Sequence, residues 1–195
     1  MRPVARIVGV VSILAVGIAG RALAQHPQTR EGFWIGFGFG HGSADLKSPT
    51  LDSLGATGRE GGATGFVKLG GTLSKSVLLG GEVNAWVKSE GGVTFTVGNV
   101  SAAAYFYPAP KTGFFVKGGV GYGSTRFSNS GSATASGFGF LAGVGYDIRV
   151  GENISLTPVA NFYFGSDGDM TENGTKVFSS LKHNVFDFGL GITFH

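Results

Sequence analysis

The stretch Asn184-Val-Phe-Asp-Phe-Gly-Leu-Gly-Ile-Thr-Phe194 sets two kinds of side chain against each other. Phe186, Phe188, Leu190, Ile192 and Phe194 share one parity, while Asp187, Gly189, Gly191 and Thr193 share the other. Successive side chains of a β-strand point to opposite faces, so this is a strand with one bulky apolar face and one small, polar face. A soluble sandwich buries the bulky face and puts polar residues on the other. Here most strands carry glycine on the second face instead. A narrow closed barrel needs that arrangement, with small residues inside and bulky apolar residues towards lipid.

Seven alternating runs precede this strand, at about 32–42, 62–73, 77–88, 93–107, 113–127, 134–150 and 154–164. The run 134–150 is the clearest, with Phe138, Phe140, Ala142, Val144, Tyr146 and Ile148 against Gly137, Gly139, Gly143, Gly145, Asp147 and Arg149. In 93–107 the apolar parity changes near Gly98-Asn99, from Val93, Phe95 and Val97 to Val100, Ala102, Ala104 and Phe106. One inserted residue would cause that, so the pattern predicts a β-bulge there. Pro158 should fall at a bulge or an unpaired edge, because proline cannot donate to the ladder.

The fold class expected is therefore all-β, an eight-stranded antiparallel up-and-down transmembrane β-barrel. An even set of antiparallel strands closes without an edge, as a bilayer demands. With both chain ends on the inner side, two outer connections, 43–61 and 165–183, read as long polar loops, and the inner ones as tight turns. A secreted β-sandwich is the soluble alternative, but it would need polar residues where this chain has glycine. The share of glycine, 36 in 195 residues, far exceeds the usual ~7%. It sits inside alternating apolar runs, where a crowded lumen is a reason for it.

Residues 1–24 read as a cleaved signal peptide, leaving 25–195 as the barrel domain. Arg2 and Arg6 make the basic start, Ile7 to Ala19 the apolar middle and Ala22-Leu23-Ala24 the cleavage site. The apolar run falls well short of the roughly 20 residues that a spanning helix takes. The leader holds three of the 15 basic residues and no acid, so 12 basic residues remain against 12 acidic ones. No Lys/Arg cluster remains to track phosphates, which argues against nucleic acid as a partner. The chain has no cysteine, which excludes disulfides, thiolate catalysis and cysteine-based metal sites.

Two phrases, Gly113-Phe-Phe-Val-Lys-Gly-Gly-Val-Gly-Tyr122 and Gly137-Phe-Gly-Phe-Leu-Ala-Gly-Val-Gly-Tyr-Asp147, resemble those of small eight-stranded outer-membrane proteins. That group includes the OmpA-like transmembrane domain, the OmpX and attachment-invasion proteins, and the opacity-type surface antigens. Asp187, Gly189, Ile192 and Phe194 are similar in spacing to the C-terminal signal of such barrels, with His195 as the departure. The resemblance covers the whole mature chain. It implies export to the cell outer membrane of a Gram-negative cell, contact with its lipid and lipopolysaccharide, and assembly by the barrel-assembly machinery through the last strand. Activity is less specified: members are adhesins, membrane stabilisers, small porin-like channels or, rarely, lipid-modifying enzymes.

The inward faces hold Lys68, Glu82, Lys117, Asp147, Arg149 and Asp187 as a candidate lumen charge network. Lys68 should meet Glu82, and Lys117 should meet Asp147 or Arg149. Buried charges need partners, and an eight-stranded interior has little room beyond its own side chains. With Trp34, Phe66 and Trp86 in the same lumen, a plugged barrel is expected; a narrow ion or small-solute channel is the alternative. His41, Ser43 and Glu60 are similar to the base, nucleophile and orienting acid of lipid A deacylase barrels, which keeps a lipid A-modifying hydrolase as a second alternative. The expectation is no enzymatic activity, no cofactor and no metal. Asp167, Asp169 and Glu172 read as a solvated turn, and His183 as a rim residue. Two aromatic belts are expected: Phe33, Tyr105, Phe106, Tyr107, Phe114 and Phe194 on the inner side, and Phe39, Phe95, Phe138, Phe162 and Phe164 on the outer. The function expected is structural or surface-interacting, with loops 43–61 and 165–183 as contact surfaces for a host or surface ligand.

Overall fold

The computed structural model describes residues 28–53, 58–129, 131–172 and 175–195, so the signal-peptide segment 1–24 lies outside the described residues. The strands are β1 (Phe33–Lys47), β2 (Arg59–Ser74), β3 (Val77–Glu90), β4 (Val93–Phe106), β5 (Phe114–Ser128), β6 (Ser132–Tyr146), β7 (Ile154–Glu172) and β8 (Thr175–Phe194). Ile148–Arg149 continues β6 past Asp147. Each strand pairs antiparallel with its neighbours in sequence. β8 pairs with β1 from Phe194↔Ile35 to Lys182↔Lys47, which closes the barrel.

Local chemistry sets the turns. Gly91 and Gly92, at φ 59° and 80°, form the two-residue β3–β4 hairpin turn, a conformation that glycine adopts without strain. Pro158 lies where the β6–β7 ladder lapses, between the pairs Gly145↔Val159 and Ile148↔Leu156. There no donor is required of it, and the backbone N–H of Asp147 donates to Gly113 O at 2.9 Å instead.

The outward faces form an apolar belt that includes Phe33, Phe39, Val83, Val120, Phe138 and Phe188, all exposed. Phe33, Phe106, Phe114 and Phe194 make its inner rim, but Tyr105 and Tyr107 point into the barrel and are buried, against the expectation for that belt. Above Ser43 and Phe186 the outer wall turns polar. Arg59 Nη2 donates to Asn184 Oδ1 at 2.5 Å, and Asn184 Nδ2 donates to Asp45 Oδ2 at 3.3 Å.

Three expectations need correcting. Residues 165–183 are no loop, since β7 runs to Glu172 and β8 starts at Thr175. Of 43–61, much is strand, and Pro49–Ser53 forms a short helix, α1. Ser48 caps α1, accepting from the backbone N–H of Leu51 at 3.2 Å, with Pro49 in the first helical position where proline is tolerated. At 19 and 20 residues, β7 and β8 are about 60 Å along the strand at ~3.3 Å per residue. Even tilted, that outruns an apolar band of about 25 Å. Finally, β4 has no bulge: its pairing with β3 and β5 is continuous through Gly98 and Asn99. The parity change arises because Val93, Phe95 and Val97 turn inward, whereas Val100 and Phe106 turn outward.

Candidate functional site in the barrel lumen

The lumen has three levels. At the inner mouth, residues 28–31 lie across the barrel end. Arg30 is 2% exposed and ties this segment down, donating to Pro110 O at 3.0 Å, Thr112 O at 2.9 Å and Gln28 Oε1 at 3.0 Å. Its guanidinium stacks 3.7 Å from the centre of the Tyr107 ring. Asp147 is the hub, accepting from Tyr107 OH at 2.8 Å and Thr157 Oγ1 at 2.8 Å. Arg30 Nε lies 4.0 Å, and His195 Nε2 3.5 Å, from the same carboxylate. Arg149 donates to Thr29 O at 2.5 Å, so it also holds the N-terminal segment.

In the middle, Glu82 accepts from Lys117 Nζ at 2.5 Å and from Tyr105 OH. Lys68 stands opposite Glu82 in the β2–β3 register, yet its ammonium lies over the rings of Phe115, Tyr105 and Trp34, at 5.1, 5.5 and 5.9 Å. That is cation–π distance. The expected Lys68–Glu82 and Lys117–Asp147 pairings are thus replaced by Lys117–Glu82, because long side chains cross the lumen rather than stop at the next strand. Asp187 stands apart and accepts from Asn161 Nδ2 at 2.9 Å. Glycines make the room: a Cβ at Gly38 or Gly191 would come within 2.6 or 2.7 Å of Phe66 Cζ, and one at Gly145 within 2.4 Å of Phe115.

Higher up, Trp86 Nε1 donates to Gly42 O at 3.2 Å. His183 is fully buried, not a rim residue, and its Nδ1 lies 2.7 Å from Asp167 Oδ2, to which Thr125 Oγ1 also donates at 2.5 Å. Asp167 therefore points into the barrel while Asp169 pairs outside with Lys176 at 2.5 Å, so these residues do not form a solvated turn. The hydrogen bond from Lys176 holds Asp169 below the usual carboxylate range. Among the described residues no group of three or more metal-ligating side chains converges.

Above these residues the lumen opens into a cup of about 640 Å³ lined by Leu46, Leu51, Phe95, Phe127, Met170 and Phe178, with Trp86 at its base. Phe127 sits edge-on to Phe95, with centroids 4.8 Å apart. Charge is confined to the rim, where Lys88 Nζ lies 2.7 Å from Glu60 Oε2 and 2.6 Å from Glu90 Oε2. Hydrogen bonding to Glu60, then Glu90, raises the Lys88 pKa; Lys88 in turn lowers that of Glu90. Glu60 thus turns to the cup side. His41 and Ser43, on the opposite parity of β1, lie on the outer wall. A base, nucleophile and acid on two faces of one sheet cannot act together.

Arg30 and Thr157 were not singled out by sequence reasoning, and Tyr105 and Tyr107 were expected in the aromatic belt rather than in the lumen. The contacts of these four with Glu82 and Asp147 join positions from 10 to more than 100 residues apart, which only the closed barrel brings face to face. The cup did leave a signal: the parity change of β4 is the point where apolar residues start to face inward.

The fold and lumen together define an architecture: the chain has the closed fold of the small eight-stranded outer-membrane barrels. No protein-family model matches the chain, and no curated protein matches it. Among solved structures, neisserial surface protein A aligns with a TM-score of 0.54 at 15% identity, over 85% of this chain and 98% of that one. Ail, the attachment invasion locus protein of Yersinia pestis, solved in complex with the heparin analogue sucrose octasulfate, gives 0.54 at 15% identity, over 84% and 99%. At such identity the likeness is one of fold.

Proposed function

We propose that this protein is an integral outer-membrane barrel with a plugged lumen, which works as a membrane-embedded structural or surface-interaction protein and not as a pore. The observation that carries this reading is the filled middle of the lumen. Lys68, Glu82, Lys117, Trp34, Tyr105 and Phe115 are all buried, and their charges are spent on one another or on aromatic faces. The exposed apolar belt supports insertion in lipid. The polar wall around Arg59, Asn184, Lys47 and Lys182 stands where lipopolysaccharide head groups would meet it. Ile192 and Phe194 on the lipid-facing side of β8, with Asp187 and Gly189 facing inward, fit recognition of this strand by the assembly machinery. The protruding tops of β7–β8 and the α1 region offer the contact surface for a host or surface ligand. Ail, which shares the fold, was solved with the heparin analogue sucrose octasulfate.

Conductance across a planar bilayer tests the reading, using mature chain refolded in detergent and checked by its gel shift on boiling. A closed bilayer is expected. Steady ion-selective openings that vanish on Glu82→Gln would replace the plug with a narrow channel.

A further inference from the structure

We propose that the cup at the outer end of the barrel is a binding site for one small apolar molecule, hydrocarbon-like and without negative charge, taken up from the outer side. Three observations converge. The first is size: about 640 Å³ lies inside the range of roughly 300–1,000 Å³ usual for small-molecule sites. The second is lining. Leu51, Phe95, Phe127, Met170 and Phe178 offer carbon and sulfur, and the indole N–H of Trp86 is already given to Gly42. A ligand here is held by burial of apolar surface.

The third is the rim. Its only charged lining residues among those described are Glu60, Lys88 and Glu90, and Lys88 is gripped by both carboxylates. One negative charge is left over. A carboxylate or sulfate head group would meet that charge with no free cation to answer it, whereas a hydroxyl or quaternary ammonium head would not. Inversion of β4 is what builds the site. Val93 and Phe95 face inward, although the lumen below them is polar, so the chain places apolar surface at the open end of the barrel. Filling that space would have taken a few more large side chains; Ala44 and Ala133 stand there instead.

The test uses the full mature chain in lipid nanodiscs, because detergent tails would compete. The probe is N-phenyl-1-naphthylamine, an uncharged apolar fluorophore that quenches tryptophan emission, titrated against empty nanodiscs to subtract lipid uptake. Saturable quenching at one probe per barrel is expected. Ala133→Trp, which fills the cup, and Leu51→Asp, on α1, which lines the cup without being part of the strand wall, should each weaken binding by about tenfold, the equivalent of roughly 1.4 kcal/mol. The gel shift on boiling should be unchanged. Decanol and decyltrimethylammonium should displace the probe at concentrations about threefold below decanoate, the scale of one screened charge at the rim. Uptake that both variants leave unchanged would locate the probe in the lipid and overturn the site. Displacement by decanoate equal to that by decanol would overturn the exclusion of anions. Leu51→Asp keeps the test open should Ala133→Trp fail to fold.

Discussion

Below the level of Ser43 and Phe186 the barrel is apolar outside and holds buried charges among aromatic rings; above it, the wall is polar outside and opens into an apolar cup over the buried His183–Asp167 pair. The two halves share strands, register and closure, and differ only in what surrounds them. In the lower half the outer solvent is lipid, so burial drives nothing outward, and the lumen is the one place where Lys68, Glu82 and Lys117 can find partners. In the upper half the outer solvent is water. Apolar residues then gain by facing one another, and Phe95, Phe127 and Phe178 gather inside as in a soluble barrel. The inversion teaches that inward and outward are not fixed attributes of polarity in this chain; the medium assigns them level by level.

The sharpest way to break the comparison is to unbalance the lower lumen. Lys117→Met strands the buried Glu82 carboxylate, and removal of one partner of a buried pair costs about 3–5 kcal/mol. Urea unfolding in lipid vesicles should show that loss, and Lys117→Met with Glu82→Gln together should recover most of it. Next comes a charge on the lower wall. Val83→Lys, in the middle of the apolar belt, should cost about 2–4 kcal/mol in the same assay, whereas Arg126→Val on the upper wall should be within ~0.5 kcal/mol of wild type. A wall of one character from end to end would make the two alike. Arg30→Ala should cost about 1–3 kcal/mol through its lost charged hydrogen bonds and speed hydrogen exchange in 28–31, yet leave the bilayer closed, because the middle layer does not depend on it.

The smallest effect concerns acid at the upper rim. Lys88 lowers the Glu90 pKa, so the stabilisation from that pair is present at neutral pH and is lost as pH falls through the lowered folded value, below the ordinary range of about 4. Any preference of the cup for a cationic over an anionic amphiphile should shrink there. Displacement titrations with decyltrimethylammonium and decyl sulfate, which both keep their charge in acid, at neutral pH and at about pH 3 measure it.

Much of the fold was legible in residues. Phe186 to Phe194 announce a lipid-facing strand, and the same alternation recurs in seven earlier runs because the period of a strand is local. Buried positions of Lys68, Glu82, Lys117, Asp147, Arg149 and Asp187 could be read by parity. Their partners could not, since a lysine reaches across the lumen to whatever register and curvature place there. The lengths of β7 and β8 escaped for a related reason: 165–183 is polar like a loop, yet it pairs, with register shifts between Ser166 and Thr171, once a neighbour lies alongside.

By itself, then, the sequence determined that the barrel is built of strands, how many there are and which residues of β8 face outward, because all three follow from alternation over ten or so residues. Only the tertiary structure decided that Glu82 pairs with Lys117, that Arg30 seals the inner mouth, and that Val93 and Phe95 turn inward to form a cup. Those outcomes rest on closure of the barrel and on where the lipid ends, which no local pattern encodes.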